Sequence, residues 1–332
     1  MDRRLHVETF GPDDAESVEA YAQLENRVRA VDSPWMHPLT LLKAQSRFRF
    51  GWDDEPPVPF LLYESGSVVG HGSCSTSEYD NLHLAWWDLA VHPHHRRRGL
   101  GTALLEVLLE RTYELGRTSA GIDGWESPAA SGFASKHGFS AKSQSINRRQ
   151  HLAELDWTHV RELHGHAASV AGEYELVGRV GPTPDEDLPA LSAMVESIND
   201  APTDDLDIED EVFPPERIRA YETAMIDRGL VLHRLVARHR GSGELAGHTI
   251  VAVDQEQPEA GEQHDTTVVG AHRGHRLGLL LKSGMNLWLR EVQPQLETID
   301  TWNAESNDHM IAVNDALNYR IMGRAIQYQR SL

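Results

Sequence analysis

The chain has 332 residues, enough for two domains of ordinary size that each bury a core of their own. Its 31 basic and 51 acidic side chains give a formal net charge of −20, which opposes association with nucleic acid or an anionic membrane surface. No long apolar run, signal-peptide pattern or lipidation motif is present, and the one cysteine, Cys74, has no partner for an intrachain disulfide, so a reducing cytoplasmic location is expected. In chain order, residues 5–10 read as a strand. A helix is predicted over 13–30, where Val18, Tyr21, Leu24 and Val28 recur at helical spacing. The segment around Ser33-Pro34-Trp35 leads to a second helix over 39–48, and residues 58–75 read as a hairpin about a turn at 64–67. Next come a strand over 83–91, a tight turn and a leucine-rich helix from Gly101. Residues 165–172 have linker composition. The same order then repeats: a strand over 174–180, a helix over 185–198, an acidic loop, a helix over 216–227, and two strands over 230–238 and 245–253 about Gly241-Ser242-Gly243.

The turn after the strand that ends in Val91 carries the most chemical information. It reads Arg96-Arg97-Arg98-Gly99-Leu100-Gly101-Thr102. Glycines let a backbone approach a ligand closely, and the start of the following helix offers free N–H groups and a positive dipole end, which together suit a diphosphate. The pattern recurs 177 positions later, where Asp265, Val268, Arg273 and Gly278 answer to Asp88, Val91, Arg96 and Gly101. Downstream, Gly124-Trp125 stands against Thr301-Trp302, and Lys136-His137-Gly138-Phe139 against Ala316-Leu317-Asn318-Tyr319. A repeat of this length implies two homologous domains, expected at 1–168 and 173–332.

The pattern Arg96-x-x-Gly99-x-Gly101 after that strand resembles the signature of the GCN5-related N-acetyltransferase (GNAT) superfamily. The resemblance implies an α/β fold of mixed α+β type: two tandem acyl-CoA N-acyltransferase domains, each a mostly antiparallel mixed sheet flanked by helices. It implies coenzyme A, as acetyl-CoA, for co-substrate. Leu89, Ala90 and Val91 would line the pantetheine arm, and Arg96, Arg97, Arg98, Gly99, Leu100, Gly101 and Thr102 the pyrophosphate. In the second domain the matching positions are Val268, Arg273, Gly274, His275, Arg276 and Gly278, with Asn303 and Asn307 on the pantetheine side. Departures accompany the match. The tyrosine that often protonates the departing thiolate is replaced by Ala134 in the first domain and Asn314 in the second. Ser127 stands where Asn307 does. Arg276 occupies the place of the first motif glycine, at a cost on the order of 1 kcal/mol if the turn needs a positive φ there. The first domain is therefore expected to be the better coenzyme A binder, and one domain to be degenerate.

Asp88 and Asp265 lie three residues before the strand-end valine, where carboxylates of this family commonly face the acceptor amine. Two readings stand open: a group that holds an ammonium or takes its proton, or a carboxylate that caps a turn or pairs with an arginine. His83 and His264 are weaker base candidates. The acidic stretch 204–211 reads either as an attractor for a polyamine or aminosugar or as a solvated loop. His92, His94 and His95 have no second cluster at ligand spacing, so no metal is expected. The expected activity is N-acetylation of a primary amine on a small, cationic molecule by a monomer or homodimer, without nucleic acid or membrane. The alternative is a non-catalytic protein that binds or senses coenzyme A.

Overall fold

Asp14 starts the first helix by accepting the backbone N–H of Ser17, and α1 (Ala15–Asp32) then buries Val18, Tyr21, Leu24 and Val28, the predicted stripe. Thr40 caps α2 (Leu41–Phe50) in the same way. This computed structural model describes residues 5–332 and separates into two units. Unit 1 takes the chain up to Gln144 together with Asp204–Glu209 and Gly323–Leu332, and unit 2 takes Ser145–Thr203 and Asp210–Met322.

The sheet of unit 1 contains β1 (Leu5–Thr9), β2 (Val58–Glu64), β3 (Ser67–Ser75), β4 (Leu84–Val91) and β5 (Ser119–Trp125), closed by residues 325–331 of the last strand, β12 (Arg320–Ser331). Every neighbour is antiparallel except β4 and β5. Helices α3 (Leu100–Glu114) and α4 (Pro128–Lys136) cover one face, where Trp87, Leu105, Leu108, Ile122 and Phe139 form a core. On the other face, α1 and α2 pack Tyr21, Ala44 and Phe48 against Leu61 of β2. The hairpin β2–β3 turns through Ser65 and Gly66, both at positive φ.

Unit 2 repeats the plan with β7 (Tyr174–Val180), β8 (Leu230–His239), β9 (Leu245–Asp254), β10 (Ala260–Val268) and β11 (Thr298–Ala304), closed by residues 145–151 of β6 (Ser140–His151). Here β10 and β11 form the parallel pair. Helix α8 (Leu277–Val292) supplies Leu281, Met285 and Leu289 to the core under Ile299. Helices α6 (Leu188–Val195) and α7 (Pro215–Asp227) bury Leu191, Met194, Tyr221 and Met225.

Two local expectations are corrected. Residues 165–170, expected as linker, belong to a capped helix, α5 (Trp157–Val170), because Asp156 caps it and Val160 and Ala167 are buried in the unit 2 core. The predicted helix over 185–198 is α-helical only in α6, with short 3-10 turns at Asp185–Asp187 and Glu196–Asp200 on either side. Pro189 lies in the first turn of α6, where it has no N–H to lose but cannot continue a helix from the preceding turn.

Candidate active site

In unit 1 the parallel ladder between β4 and β5 ends at Trp87↔Ile122. Beyond it β4 continues on β3, through Asp88↔Ser73 to Val91↔Gly70, and β5 continues on β12. The two strands part into a wedge, whose β4 edge carries Leu89, Ala90 and Val91 with backbone groups free of a ladder on that side. After Val91 the chain makes one 3-10 turn, Pro93–His95, and enters α3. Arg96 folds back on this turn: its Nε donates to the Val91 carbonyl at 3.1 Å, and its two terminal nitrogens fork onto Asp32 at 2.8 and 2.6 Å. Arg98 donates to Glu64 at 3.0 Å. Arg97 is exposed and holds φ 64°, and Gly99 is the N-cap of α3 at φ 86°. With no side chain capping α3, its first N–H groups face outward for an anion, while Leu100 is buried beneath. A Cβ at Gly101 would come 3.0 Å from the Phe133 ring, and Thr102 Oγ1 lies 3.2 Å from His137 Nε2.

Unit 2 rebuilds the same turn about its own arginine, with one terminal nitrogen on the carboxylate in place of two. Arg273 Nε donates to the Val268 carbonyl at 3.1 Å and its Nη2 to Asp200 at 2.5 Å. The left-handed positions are filled in reverse order: Gly274 at φ 85° stands where unit 1 has Arg97, and Arg276 at φ 56° caps α8 where unit 1 has Gly99. Arg276 thus adopts the positive φ anticipated for a glycine place. His275 contacts the His272 carbonyl at 3.2 Å, and Gly278 has open space about it. Both cradles present free helix N–H groups, a glycine and an outward arginine, which is the donor set a diphosphate needs.

Below the turn the units differ. Asp88 points at α2, where it is bonded to Arg47, and Ser73 donates to it at 3.3 Å. Burial opposes its ionisation, but the Arg47 guanidinium outweighs this and holds Asp88 below the usual carboxylate range. Across the wedge, Asp123 of β5 accepts the Trp86 indole N–H at 2.7 Å. Its surface is open to solvent, yet the enclosing protein, with the nearby Asp88 charge, pushes its carboxyl up to about 6 against the pull of that indole. In unit 2 the ladder shifts between Gln263 and Thr266, so His264 and Asp265 together oppose Ile250 in a bulge. Burial raises Asp265, and it pushes His264, whose Nδ1 lies 2.6 Å from Tyr221 Oη, down to about 4. Asp88 and Asp265, equivalent in spacing, therefore sit in different surroundings.

The remaining predicted positions are structural in their visible contacts. Ser127 and Asn307 are N-caps, accepting Ala130 N–H and Met310 N–H at 3.1 Å each. Asn303 accepts from Asn314 at 3.2 Å, and Asn314 in turn accepts from Lys282 Nζ at 2.7 Å, all three away from solvent. His83 meets the Asp207 carbonyl at 3.3 Å, which ties the acidic loop Asp204–Glu209 to unit 1, as do Ser143 on Asp204 and Asn81 with Glu209. His92 and His94 lie with ring centres 5.5 Å apart, and among the described residues no group of His, Cys, Asp and Glu is arranged to hold a metal. Sequence reasoning missed Arg47, Asp123 and Trp86. Only the alternation of Trp86 with Asp88 and of Gly121 with Asp123 placed them on one face, and nothing in the motif marked that face.

Residues 21–139 match the family described as Acetyltransferase (GNAT) family. A mycothiol acetyltransferase of Parafrankia sp. (strain EAN1pec) is 35% identical over 102 residues, which is 30% of this chain and 29% of that protein. One from Saccharopolyspora erythraea is 42% identical over 53 residues, 16% of this chain and 18% of that protein. The chain thus spans under a third of the first of these relatives in aligned length. Among solved structures, a tandem GNAT protein from the clavulanic acid biosynthesis pathway superposes with a TM-score of 0.81 at 25% identity, covering 99% of this chain and 98% of that one. A GCN5-related N-acetyltransferase from Sphaerobacter thermophilus superposes at 0.68 with 15% identity, covering 98% and 95%, a likeness of fold.

Proposed function

We propose that this chain, of which residues 21–139 match the GNAT family and nearly all superposes on a tandem GNAT protein, transfers an acyl group, acetyl before others, from a coenzyme A thioester to the primary amine of a small molecule, with unit 1 as the working site. The observation that carries this reading is the parting of β4 from β5 directly beside the uncapped start of α3. A diphosphate would be held by the first N–H groups of α3 and by Arg97, while Arg96 and Arg98 stiffen the turn through Asp32 and Glu64. The free edge of Leu89, Ala90 and Val91 would bond an extended amide-bearing arm in the wedge. When bound there, acetyl-CoA supplies the activated acyl carbonyl.

The chain's own residues handle the amine. It arrives as an ammonium and attacks only when neutral. Asp88, kept ionised by Arg47, holds the ammonium by charge, and Asp123 takes the proton, since a carboxyl near 6 is largely ionised at neutral pH and a better base than an ordinary aspartate. Neither Ala134 nor Asn314 can donate a proton to the leaving sulfur as a tyrosine would, so the release step relies on solvent in unit 1. Unit 2, with Arg276 in the turn and Asp265 in a bulge, is read as the degenerate partner.

Calorimetric titration of acetyl-CoA into the wild type, Gly99→Glu and Gly278→Glu tests the assignment. Loss of binding in Gly99→Glu is expected; loss confined to Gly278→Glu reverses the order of the units, and no binding by the wild type removes the reading. With a reactive amine, release of free coenzyme A is expected to fall below about pH 6 as Asp123 is protonated, and Asp123→Asn should abolish that inflection. Binding without release on any amine would favour a sensing role.

A further inference from the structure

Side chains of β4 and β5 alternate between two faces. Trp87 and Ile122 point into the core under α3, so Trp86, Asp88, Asp123 and Trp125 share the opposite face. Trp86 lies across Gly121, its register partner: a Cβ there would stand 2.3 Å from the indole. The same accommodation recurs at the other end of the face. Trp35, from the connection between α1 and α2, meets Trp125 edge-on with ring centres 5.0 Å apart, and a Cβ at Gly323 of β12 would stand 2.3 Å from Trp35 and 2.9 Å from Trp125. Two glycines thus leave room for indoles on one continuous surface that also carries both wedge carboxylates. Unit 2 lacks it. Counted in ladder rows, Ser75–Trp86–Gly121 of unit 1 corresponds to Ala252–Glu262–Asp300, and Asp300 is forked by Arg149 at 2.6 and 2.7 Å.

We propose that this face of unit 1 takes an arylalkylamine: a primary ammonium carried a few bonds from a flat aromatic ring, the ring against Trp35, Trp86 and Trp125 and the ammonium between Asp88 and Asp123. The proposal rests on unit 1 being the acyl-transfer site and names its acceptor class. An ammonium is attracted both by the ionised Asp88 and by the indole faces, and an aromatic ring gains edge and face contacts that a linear chain does not offer. A linear polyamine would place its second ammonium beside Arg47 or out in solvent. An aminosugar would bring hydroxyls to carboxylates already engaged, Asp88 by Arg47 and Ser73 and Asp123 by Trp86.

The test uses the full chain. Indole fluorescence and calorimetry follow 2-phenylethylamine, tryptamine, putrescine and glucosamine titrated into protein saturated with coenzyme A, and release of coenzyme A from acetyl-CoA is measured with each. Fluorescence change and tighter binding are expected for the two arylalkylamines, with kcat/KM at least about tenfold above putrescine and glucosamine. Gly323→Ala, which displaces Trp35, is expected to raise KM for 2-phenylethylamine about tenfold and leave acetyl-CoA affinity unchanged, which also certifies its fold. Preference for putrescine or glucosamine, no binding of either arylalkylamine, or an unmoved KM in Gly323→Ala overturns the proposal. Arylalkylamine binding without turnover sustains the recognition and overturns only the transfer reading.

Discussion

Gly99 announces its role in the sequence, as does the glycine place that Arg276 fills, but the backbone of Arg97 does not. Each cradle uses two left-handed residues two positions apart, one glycine and one arginine, in opposite order. Glycine reaches this region without penalty, whereas a side chain pays steric strain on the order of 1 kcal/mol. Both arginines remain in spite of that strain, and both lie at the outward lip where a diphosphate is expected. Arg276→Gly is therefore expected to raise stability by about 0.5–1 kcal/mol while weakening any anion binding at unit 2, and Gly99→Ala to lower stability by about 1 kcal/mol. Thermal unfolding with and without acetyl-CoA checks both signs. An Arg276→Gly variant less stable than the wild type would show that the arginine side chain has a fold contact to outweigh its strain.

Where helices meet, one difference between the repeats stands out. Six residues after the N-cap of α8 is Lys282, 2% exposed; seven after the N-cap of the last helix, α9 (Asp308–Ala316), is Asn314, fully buried. The same counts in unit 1 give Leu105 and Ala134. Lys282 has Asn314 at 2.7 Å and the Tyr319 ring at 4.5 Å, with no carboxylate beside it among the described residues. Burial, reinforced by the Arg148 charge, pushes its amine down from 10.5 to about 7. Between pH 7 and 10.5 the unfolded chain holds a proton that the folded chain has released, so this residue makes stability rise with pH across that window. Lys282→Leu combined with Asn314→Ala, the pair unit 1 already uses, is expected to stabilise the protein at pH 7 by roughly 1–4 kcal/mol and to remove that slope. Urea unfolding at pH 7 and pH 9 measures it. An unchanged slope would mean that Lys282 is neutral in neither state.

At the scale of the chain, connectivity and folding units do not coincide. Strand β6 follows α4 in sequence, yet its residues 145–151 pair with β11; β12 follows α9, yet its residues 325–331 pair with β5. Unit 1 further takes the loop Asp204–Glu209, where Asp207 N–H donates to Gln329 at 2.7 Å. Removing Gly323–Leu332 would strip the β12 ladder from β5, take the buried side chains of Tyr328 and Ala325 out of unit 1, and take away the glycine behind Trp35. A chain ended at Met322 is therefore expected to lose hydrogen-exchange protection throughout β4 and β5 and to lose acetyl-CoA binding at unit 1. Native protection of those strands in the shortened chain would contradict it.

Most of the elements, the twofold repeat and the two turns that lead into α3 and α8 are legible in the residues alone. Period, caps and glycine turns act within a few residues of where they are written, so helix α1, the hairpin β2–β3 and the turn from Val91 into α3 were all legible. The partner of each element came instead from long-range packing. Alternation shows that a strand has two faces but not which sheet it joins, so the exchange of β6 and β12 carries no local signal. The helical course of residues 165–170 followed from burial of Ala167, which composition could not foresee. The proposed acceptor face has the same origin. Asp123, Trp86, Trp35, Arg47 and Gly323 come from five separate segments, and their electrostatics arise from long-range contact: an aspartate carboxyl is pushed up to about 6 only where protein surrounds it beside a second carboxylate.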